Sequence, residues 1–368
     1  MTFVVRWVLN DLSIRRRRVR KFAQAAKSFS KDSSTNTVLL EVKNLCTQFS
    51  TANGVLCAVD GVSFALHHRA AIGVVGESGS GKSVTALSIL RLFGPLDKVV
   101  ISGEILFDGI DLLKLSEAEL RHVRGSQIAM VFQDPLTSLN PVMPVGEQIA
   151  ETLRFHRGLK KPAARARTQE LMELVGIGEP ARRYADLPEQ FSGGMRQRIM
   201  IAIAIACEPK LLIADEPTTA LDVTVQSQVL MLLNRLRDEL GMALIMISHD
   251  LGVIAATCDF AQVMYGGRVV ERGHIQEILT RPNHPYTAAL LRLVPRIDGP
   301  VERRLAPIPG QPAPIFGAAR GCRFSARCEF ANERCHTDDP PPHDFGHHHL
   351  SYCWLAEERF AATVAVKE

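Results

Sequence analysis

The stretch that decides the fold is Gly76-Glu77-Ser78-Gly79-Ser80-Gly81-Lys82-Ser83, which fits the pattern G-x-x-x-x-G-K-[ST]. It follows an apolar run, residues 70–75, and precedes residues 83–93, which have helical periodicity. Glycines let the backbone approach a phosphate closely, and the amino end of a helix favours negative charge. The pattern and its flanks therefore predict a phosphate-binding loop between a strand and a helix. Lys82 would reach the β and γ phosphates, Ser83 would hold Mg2+, and the phosphates would be cradled by Gly76, Ser78, Gly79, Ser80 and Gly81.

A second stretch, Leu211-Leu212-Ile213-Ala214-Asp215-Glu216, is an apolar run that ends in two carboxylates. Such a run is typical of a buried strand. If this strand neighbours the one before the phosphate-binding loop, both motifs share one sheet edge. Asp215 would then orient the metal and Glu216 would act as general base on the attacking water. By itself such a pair is more often a capped helix start or a surface pair, but its position downstream of the loop favours the catalytic interpretation.

Strands and helices alternate along most of the chain, which predicts an α/β fold with a mostly parallel sheet. The expected strands are residues 38–45, 55–66, 70–75, 211–214 and 243–247, with a helical insertion over about 135–191 and a hairpin over 263–270. Beyond about Thr280 the composition becomes Pro-rich and then rich in Cys and His. These shifts predict a basic amino-terminal extension (1–37), a main domain (38–280) and a carboxy-terminal module (281–368).

Composition excludes several classes of protein. The 368 residues are 46% hydrophobic and 22% charged, which excludes wholesale disorder and a collagen-like or coiled-coil chain. Residues 1–32 hold nine Arg and Lys against two Asp, a net charge of +7, so the rest of this +4 chain carries −3. That distribution argues against a nucleic-acid surface on the main domain. No window is apolar enough for a spanning helix, and the basic cluster follows the first apolar stretch, the reverse of a secretory signal.

Phe191-Ser192-Gly193-Gly194-Met195-Arg196-Gln197-Arg198 resembles the signature motif of ATP-binding cassette (ABC) ATPases, with Met195 where that family most often has Gln. The other elements follow the family's order: the phosphate-binding loop, Gln133 after IAMVF, the signature, Asp215 with Glu216, Ala220-Leu221-Asp222, and His249 after ALIMIS. The resemblance covers residues 38 to about 280. It implies a P-loop NTPase cassette with a RecA-like parallel-sheet core, an antiparallel β subdomain and a helical subdomain.

The same resemblance implies roles for further residues. Ser192, Gly193 and Gly194 would form a second anion site that closes on ATP held by the opposite subunit of a head-to-tail dimer. His249 would contact the γ phosphate and align the water with Glu216. Gln133 would touch the metal or the water and begin a loop that couples the nucleotide to a partner. Phe49 is a candidate for stacking on adenine, although an aromatic in a strand is equally often part of the core.

The carboxy-terminal module resembles the tail of ATP-binding subunits of dipeptide and oligopeptide importers, on His284-Pro285-Tyr286-Thr287, Ile308-Pro309-Gly310 and Gly321-Cys322-Arg323-Phe324-Ser325-Ala326-Arg327-Cys328. Four cysteines lie here: Cys322, Cys328, Cys335 and Cys353. Some relatives carry a [4Fe-4S] cluster on such a tail, so we expect that cluster, with zinc or unligated thiols as the alternatives. His347, His348 and His349 would either substitute as ligands or be solvated loop residues.

The resemblance therefore implies an ATPase (ATP + H2O to ADP + phosphate) that energises import of peptides or related small solutes, bound peripherally at the cytoplasmic face of the cell membrane. Its expected partners are two transmembrane permease subunits, a second ATPase chain or a second copy of this one, and an extracytoplasmic solute-binding protein. The alternative cargo is nickel, glutathione or another non-peptide solute.

DNA-repair ABC proteins need a long coiled-coil insertion for which the chain has no room, and ABC proteins that act in translation usually carry two cassettes. A redox-regulatory role of the cysteines would add to transport. The basic tail is either an interfacial helix or a charged extension.

Overall fold

A computed structural model of the chain describes residues 37–94, 97–219, 221–293, 308–311, 314–317 and 319–358. The basic amino-terminal tail and Ala220 lie outside the described residues. The described chain forms two compact units. The first comprises the residues up to His67, Ile72–Leu113 and the residues from Ser248 onward, and the second comprises His68–Ala71 and Lys114–Ile247.

The described residues form strands and helices that alternate along much of the chain. The strands are β1 Val38–Thr51, β2 Gly54–His67, β3 Ala71–Val75, β4 Val99–Phe107, β5 Ile110–Asp111, β6 Ile128–Val131, β7 Leu211–Asp215, β8 Ala243–Ser248, β9 Phe260–Tyr265, β10 Arg268–His274, β11 His343–Asp344 and β12 Leu350–Ser351. The helices are α1 Lys82–Leu90, α2 Glu117–Val123, α3 Pro135–Ser138, α4 Val145–Arg157, α5 Lys161–Leu174, α6 Pro180–Arg183, α7 Gly193–Ile205, α8 Val223–Leu240, α9 Leu251–Thr257, α10 Ile275–Thr280, α11 Pro285–Arg292 and α12 Glu333–Thr337.

The first unit contains an antiparallel sheet with the strand order β2-β1-β4-β5. The long strands β1 and β2 pair with Leu40 opposite Leu66. Leu40, Val42 and Leu45 are almost completely buried, while charged residues of β1 such as Lys43 stay accessible. One face therefore packs on the core and the other meets solvent, as antiparallel sheets commonly do.

The same unit contains the strand order β11-β12-β10-β9-β3. Here β3 pairs in parallel with β9, and β9 pairs antiparallel with β10, so the hairpin predicted over 263–270 is present. All five residues of β3 are buried. A strand that is buried on both faces reads as a continuous apolar run, which is why the sequence before the phosphate-binding loop has no polar alternation.

The second unit contains the parallel strands β6, β7 and β8, with β7 in the middle. Every residue of β7 and β8 is buried, and Asp215 at the end of β7 lies opposite Ile247. The mostly parallel sheet predicted from the sequence is therefore correct for these strands. In the first unit β1, β2, β4 and β5 pair antiparallel, in agreement with the antiparallel β subdomain that the family resemblance implies.

The helices of the second unit start and stop at residues that favour helix ends. α4 ends at Gly158, whose φ of 64° is left-handed, and α5 has a proline in its first turn. α8 begins at Asp222, whose side chain accepts from the amides of Thr224 and Val225. Asp222 of the predicted Ala-Leu-Asp motif is thus a helix cap.

Candidate functional site

The phosphate-binding loop joins buried β3 to α1, as the sequence predicts. The loop turns tightly, because the amide of Ser80 donates to the carbonyl of Glu77 over 3.2 Å. The carbonyl of Ser80 accepts from the amide of Gly267 over 3.0 Å, which ties the loop to the β9–β10 hairpin. Within the described residues the buried hydroxyl of Ser80 has no hydrogen-bond partner. A buried hydroxyl facing into an anion-binding loop is suited to a phosphate oxygen.

Two glycines of the loop are required by close backbone contacts. A Cβ at Gly81 would lie 2.5 Å from the carbonyl oxygen of Ala58, and Gly81 has a φ of +101°. A Cβ at Gly76 would lie 2.3 Å from the carbonyl oxygen of Met264. The loop is therefore pressed against β2 and β9 on one side, which leaves its opposite side for a ligand. This cradle fits a nucleotide phosphate, and Mg2+ is the usual companion of such a phosphate.

Lys82 begins α1 and is folded back onto the loop. Its ammonium group donates to the carbonyls of Gly76 over 2.7 Å and of Glu77 over 2.9 Å, and only 4% of the residue is exposed. A phosphate at the amino end of α1 would give this ammonium group a stronger, charged acceptor. Ser83 is the next residue of α1, and Ser78 and Gly79 form the exposed tip of the loop.

In the second unit, Gln133 and Glu216 meet as the predicted roles require. The amide nitrogen of Gln133 donates to Oε2 of Glu216 over 2.9 Å, across 83 residues of sequence. Asp215 precedes Glu216 at the end of β7 and is 5% exposed. The general-base candidate and the candidate metal ligand therefore share the carboxyl end of one buried strand.

Thr219 is a contact of Glu216 that the sequence motifs do not identify. Its hydroxyl donates to Oε2 of Glu216 over 2.9 Å, and its amide donates to the carbonyl of Glu216 over 3.2 Å. The only sequence signal is a hydroxyl three residues after an acid, a spacing found in many turns. Gln133 and Thr219 therefore both donate to Oε2 of Glu216 and orient its carboxylate.

The backbone at Glu216 is unusual for a residue with a side chain. Its φ is +45°, in the left-handed region, and its amide donates to the carbonyl of Ile247 over 2.9 Å. Such a conformation costs on the order of 1–3 kcal/mol and is found where surrounding contacts hold a functional side chain in place. The strand pairing of β7 with β8 and the contacts from Gln133 and Thr219 hold Glu216 in this conformation.

The signature residues Ser192, Gly193 and Gly194 lie at the amino end of the 13-residue helix α7. The hydroxyl of Ser192 accepts from the amide of Met195 over 3.4 Å, so Ser192 caps this helix. Ser192 and Gly193 are exposed. A Cβ at Gly194 would lie 2.4 Å from Val225, so Gly194 is needed for the packing of α7 on α8.

His249 and Phe49 belong to the first unit. His249 is exposed and lies between β8 and α9. Phe49 is half-buried in β1 and packs edge-on against Phe93, with the ring centroids 5.6 Å apart. Phe49 therefore has a core contact, and stacking on adenine stays a prediction.

The four cysteines of the carboxy-terminal module converge, but they do not form a metal site. Cys322, Cys328, Cys335 and Cys353 line one cavity together with apolar side chains. In the described ranges, no group of three or more His, Cys, Asp or Glu residues has an arrangement that could hold a metal ion. Burial raises the pKa of Cys328 to about 11 and that of Cys353 to about 12, which favours the thiol over the thiolate that binds metals. The predicted iron–sulfur cluster, and with it metal binding at these cysteines, is wrong.

Of the three histidines considered as ligands or loop residues, His347 and His348 are exposed, and His349 differs from both expectations. His349 is 2% exposed, and its Nε2 lies 2.7 Å from the carboxylate of Glu271, which is completely buried on β10. Glu271 also accepts from the amides of Asn283 and His284. His349 therefore joins the carboxy-terminal module to β10, and it is neither a metal ligand nor a solvated loop residue.

Two protein-family models match the chain. The ABC transporter model matches residues 59–219, which include the phosphate-binding loop, Gln133, the signature and Glu216. The model of the oligopeptide/dipeptide transporter carboxy-terminal region matches residues 270–335.

Curated relatives match over nearly their whole length. The chain is 48% identical over 322 residues to the oligopeptide transport ATP-binding protein OppD of Haemophilus influenzae, covering 88% of this chain and 98% of the relative. It is 46% identical over 323 residues to the dipeptide transport ATP-binding protein DppD of Bacillus subtilis, covering 87% and 96%. These names refer to ATP binding and peptide transport and do not mention an iron–sulfur cluster.

Solved structures of ATP-binding cassettes have a similar fold. A dimeric cassette in a post-hydrolysis state, bound to ADP and phosphate, has a TM-score of 0.57 and 28% identity, covering 64% of this chain and 98% of that one. The cassette cbiO1 of Clostridium perfringens, part of an ABC transporter complex, has a TM-score of 0.55 and 28% identity, covering 66% and 91%.

Proposed function

The chain belongs to the ATP-binding subunits of the oligopeptide and dipeptide ABC transporter family, and from that premise we propose that it hydrolyses ATP to drive import of peptides through separate permease subunits. Family membership makes it an ATPase that uses ATP and Mg2+. The proposal divides the chain into a basic extension (1–37), the cassette (38–280, with the helical subdomain at about 135–191) and the carboxy-terminal module.

For nucleotide binding, we assign the phosphates to Lys82 and to the loop amides of Gly76, Ser78, Gly79, Ser80 and Gly81. The support is the cradle pressed against β2 and β9, together with the buried hydroxyl of Ser80, which has no hydrogen-bond partner in the part of the chain that the structure describes. Ser83, Asp215 and Gln133 are the proposed Mg2+ ligands, directly or through water, because hydroxyl, carboxylate and amide oxygens suit this ion. Phe49 is the proposed adenine platform.

For hydrolysis, we assign the general base to Glu216. Its carboxylate accepts hydrogen bonds from Gln133 and Thr219, and these two contacts orient it. This arrangement is the observation that carries the assignment, because a general base must first be positioned by its surroundings. His249 is the proposed contact to the γ phosphate. Ser192, Gly193 and Gly194 are assigned to the ATP of an opposing subunit, since the amino end of α7 is exposed and can receive an anion.

The chain works with membrane permease partners and a peptide-binding protein, as an importer subunit of this family. None of the described helices combines the length and the apolar character needed to cross a bilayer. We propose two permease subunits, peripheral attachment at the cytoplasmic face, and a paired ATPase that is a second, related chain, with a homodimer as the alternative.

The test is peptide uptake by the assembled transporter. The chain is co-expressed with candidate permease and solute-binding proteins from the same organism, and uptake of a labelled tripeptide is measured in cells and in proteoliposomes with MgATP. We expect uptake with the wild-type chain and background uptake with Lys82→Ala. ATPase stimulation by nickel or glutathione, and not by peptide, would overturn the peptide assignment. Absence of Mg2+-dependent ATPase activity would overturn the enzymatic assignment as well.

A further inference from the structure

The second residue of the phosphate-binding loop, Glu77, is held by the carboxy-terminal module. Its carboxylate pairs with both terminal nitrogens of Arg327, over 2.6 Å and 3.1 Å, in a bidentate contact that joins residues 250 positions apart. Its amide donates to the hydroxyl of Tyr286 over 2.8 Å. Its carbonyl accepts from Lys82. Glu77 is therefore tied to the module through both its side chain and its backbone.

Arg327 is built into its position. Its side chain is 6% exposed, and its guanidinium group donates to the carbonyls of Pro309 and Ile308. It also donates to the hydroxyl of Tyr265 over 3.2 Å. Because these hydrogen bonds fix the orientation of the planar guanidinium group, it presents the edge that carries both terminal nitrogens to Glu77. Arg327 thus acts as a preformed partner for this single loop residue.

The charge of Glu77 gives this contact a consequence for ATP. An unpaired carboxylate in a loop that receives three phosphates would repel them, and repulsion near a protein surface is only partly screened. Arg327 cancels that charge and at the same time holds the Glu77 peptide, whose carbonyl is one of the acceptors of Lys82.

We propose that Arg327 is a positioning residue for the phosphate-binding loop, so that the affinity for ATP depends on the carboxy-terminal module being seated on the loop through Arg327, Tyr286 and Glu77. Arg327 touches neither the nucleotide nor the metal in this proposal. The inference rests on ATP binding at the loop and not on the identity of the transported solute.

A second arginine of the module provides a matched control. The side chain of Arg323 is 4% exposed and pairs with Asp60 of β2 over 2.7 Å. Asp60 also forms an ion pair with Arg268. Arg323 and Arg327 therefore both join the module to other parts of the first unit through a carboxylate, and their side chains are similarly buried. Only the carboxylate that pairs with Arg327 belongs to the phosphate-binding loop.

The experiment measures binding of ATPγS with Mg2+ to the purified full chain by calorimetry, together with the melting temperature. We expect Arg327→Gln to weaken binding about tenfold, because it leaves one uncompensated charge beside the phosphates. Arg323→Gln should lower the melting temperature by a similar amount and bind ATPγS within about twofold of wild type.

The double variant separates positioning from simple destabilisation. Glu77→Gln removes the charge that Arg327 compensates, so Glu77→Gln/Arg327→Gln should bind ATPγS more tightly than Arg327→Gln alone, within about threefold of wild type. The binding deficit of Arg327→Gln should also shrink as salt is raised. Arg327→Lys, which keeps the charge, should bind within about threefold and provides a second measurement if Arg327→Gln does not fold.

Three results would overturn the inference: wild-type affinity in Arg327→Gln, an equal loss of affinity in Arg323→Gln, or a double variant weaker than Arg327→Gln. Failure of the wild-type chain itself to bind ATPγS would instead overturn the proposed function. The two failures are therefore distinguishable in one set of titrations.

Discussion

Two carboxylates follow buried parallel strands in this protein, and their surroundings differ. Glu77 comes two residues after β3 and faces a guanidinium group of Arg327 in a bidentate pair. Glu216 comes directly after β7 and accepts from the neutral groups of Gln133 and Thr219. A cationic partner makes the first carboxylate a fixed part of the scaffold, whereas hydrogen bonds from Gln133 and Thr219 orient the second, as a general base requires.

The largest expected effect is on turnover. Glu216→Gln should keep ATP binding and lower kcat by on the order of 100-fold or more, because a positioned general base contributes that much. The measurement is steady-state ATPase activity with a parallel binding titration. Glu77→Gln should lower kcat by less than about tenfold. Similar losses of kcat in the two variants would contradict the distinction drawn between these carboxylates.

Asp60, like Glu77, is a carboxylate with a cationic partner, because Arg268 and Arg323 both pair with it. Burial alone would raise the pKa of Asp60, but Arg268 and Arg323 lower it below its ordinary value. Asp60→Asn should reduce the free energy of unfolding by about 2 kcal/mol, since it leaves Arg323 buried without a carboxylate. Denaturant unfolding measures the loss. A variant as stable as wild type would show that this cluster is not part of the scaffold.

Thr219 tests whether the hydrogen bonds to Glu216 contribute to catalysis. Thr219→Val removes one donor to Glu216 at nearly constant volume and should lower kcat about fivefold to tenfold, with little change in KM. Thr219→Ser keeps the hydroxyl and serves as the control, so it should recover most of the wild-type kcat. If Thr219→Ser is as slow as Thr219→Val, the methyl group and its packing matter, and the hydrogen bond does not.

The effect that is smallest at neutral pH is a pH dependence beside Glu77. Burial lowers the pKa of His284 to about 3, and its Nδ1 accepts from the amide of Tyr286, whose hydroxyl receives the amide of Glu77. Between about pH 6.5 and 3 the unfolded chain binds a proton that the folded chain does not, so the free energy of unfolding falls as the solution is acidified.

His284→Asn tests this linkage, because asparagine can cap α11 without titrating. Unfolding free energies measured across this pH range should fall less steeply for the variant than for wild type, by up to about 1.4 kcal/mol per pH unit. Parallel curves would show that His284 is already protonated in the folded chain.

Much of the fold could be predicted because its signals are local. The apolar runs before Gly76 and Asp215 identify buried strands, and the helical periodicity of residues 83–93 corresponds to α1, Lys82–Leu90. The antiparallel pairing of β1, β2, β4 and β5 could not be read from local pattern, since pairing joins distant segments. The cysteine prediction was wrong for a related reason: four thiols in a short segment do not specify the geometry and the charged state that a metal needs.

Local backbone requirements determined the core of the candidate site: the tight glycine turn before α1, the carboxylates at the end of a buried strand and the serine that caps α7 can all be read from the sequence alone. Tertiary structure alone decided which groups surround each functional side chain. Arg327 reaches Glu77 across 250 residues, and His349 reaches Glu271 across 78. Hydrogen bonds form only over short distances, so two groups can pair only if tertiary packing brings them close together. The local sequence around each residue does not contain that information.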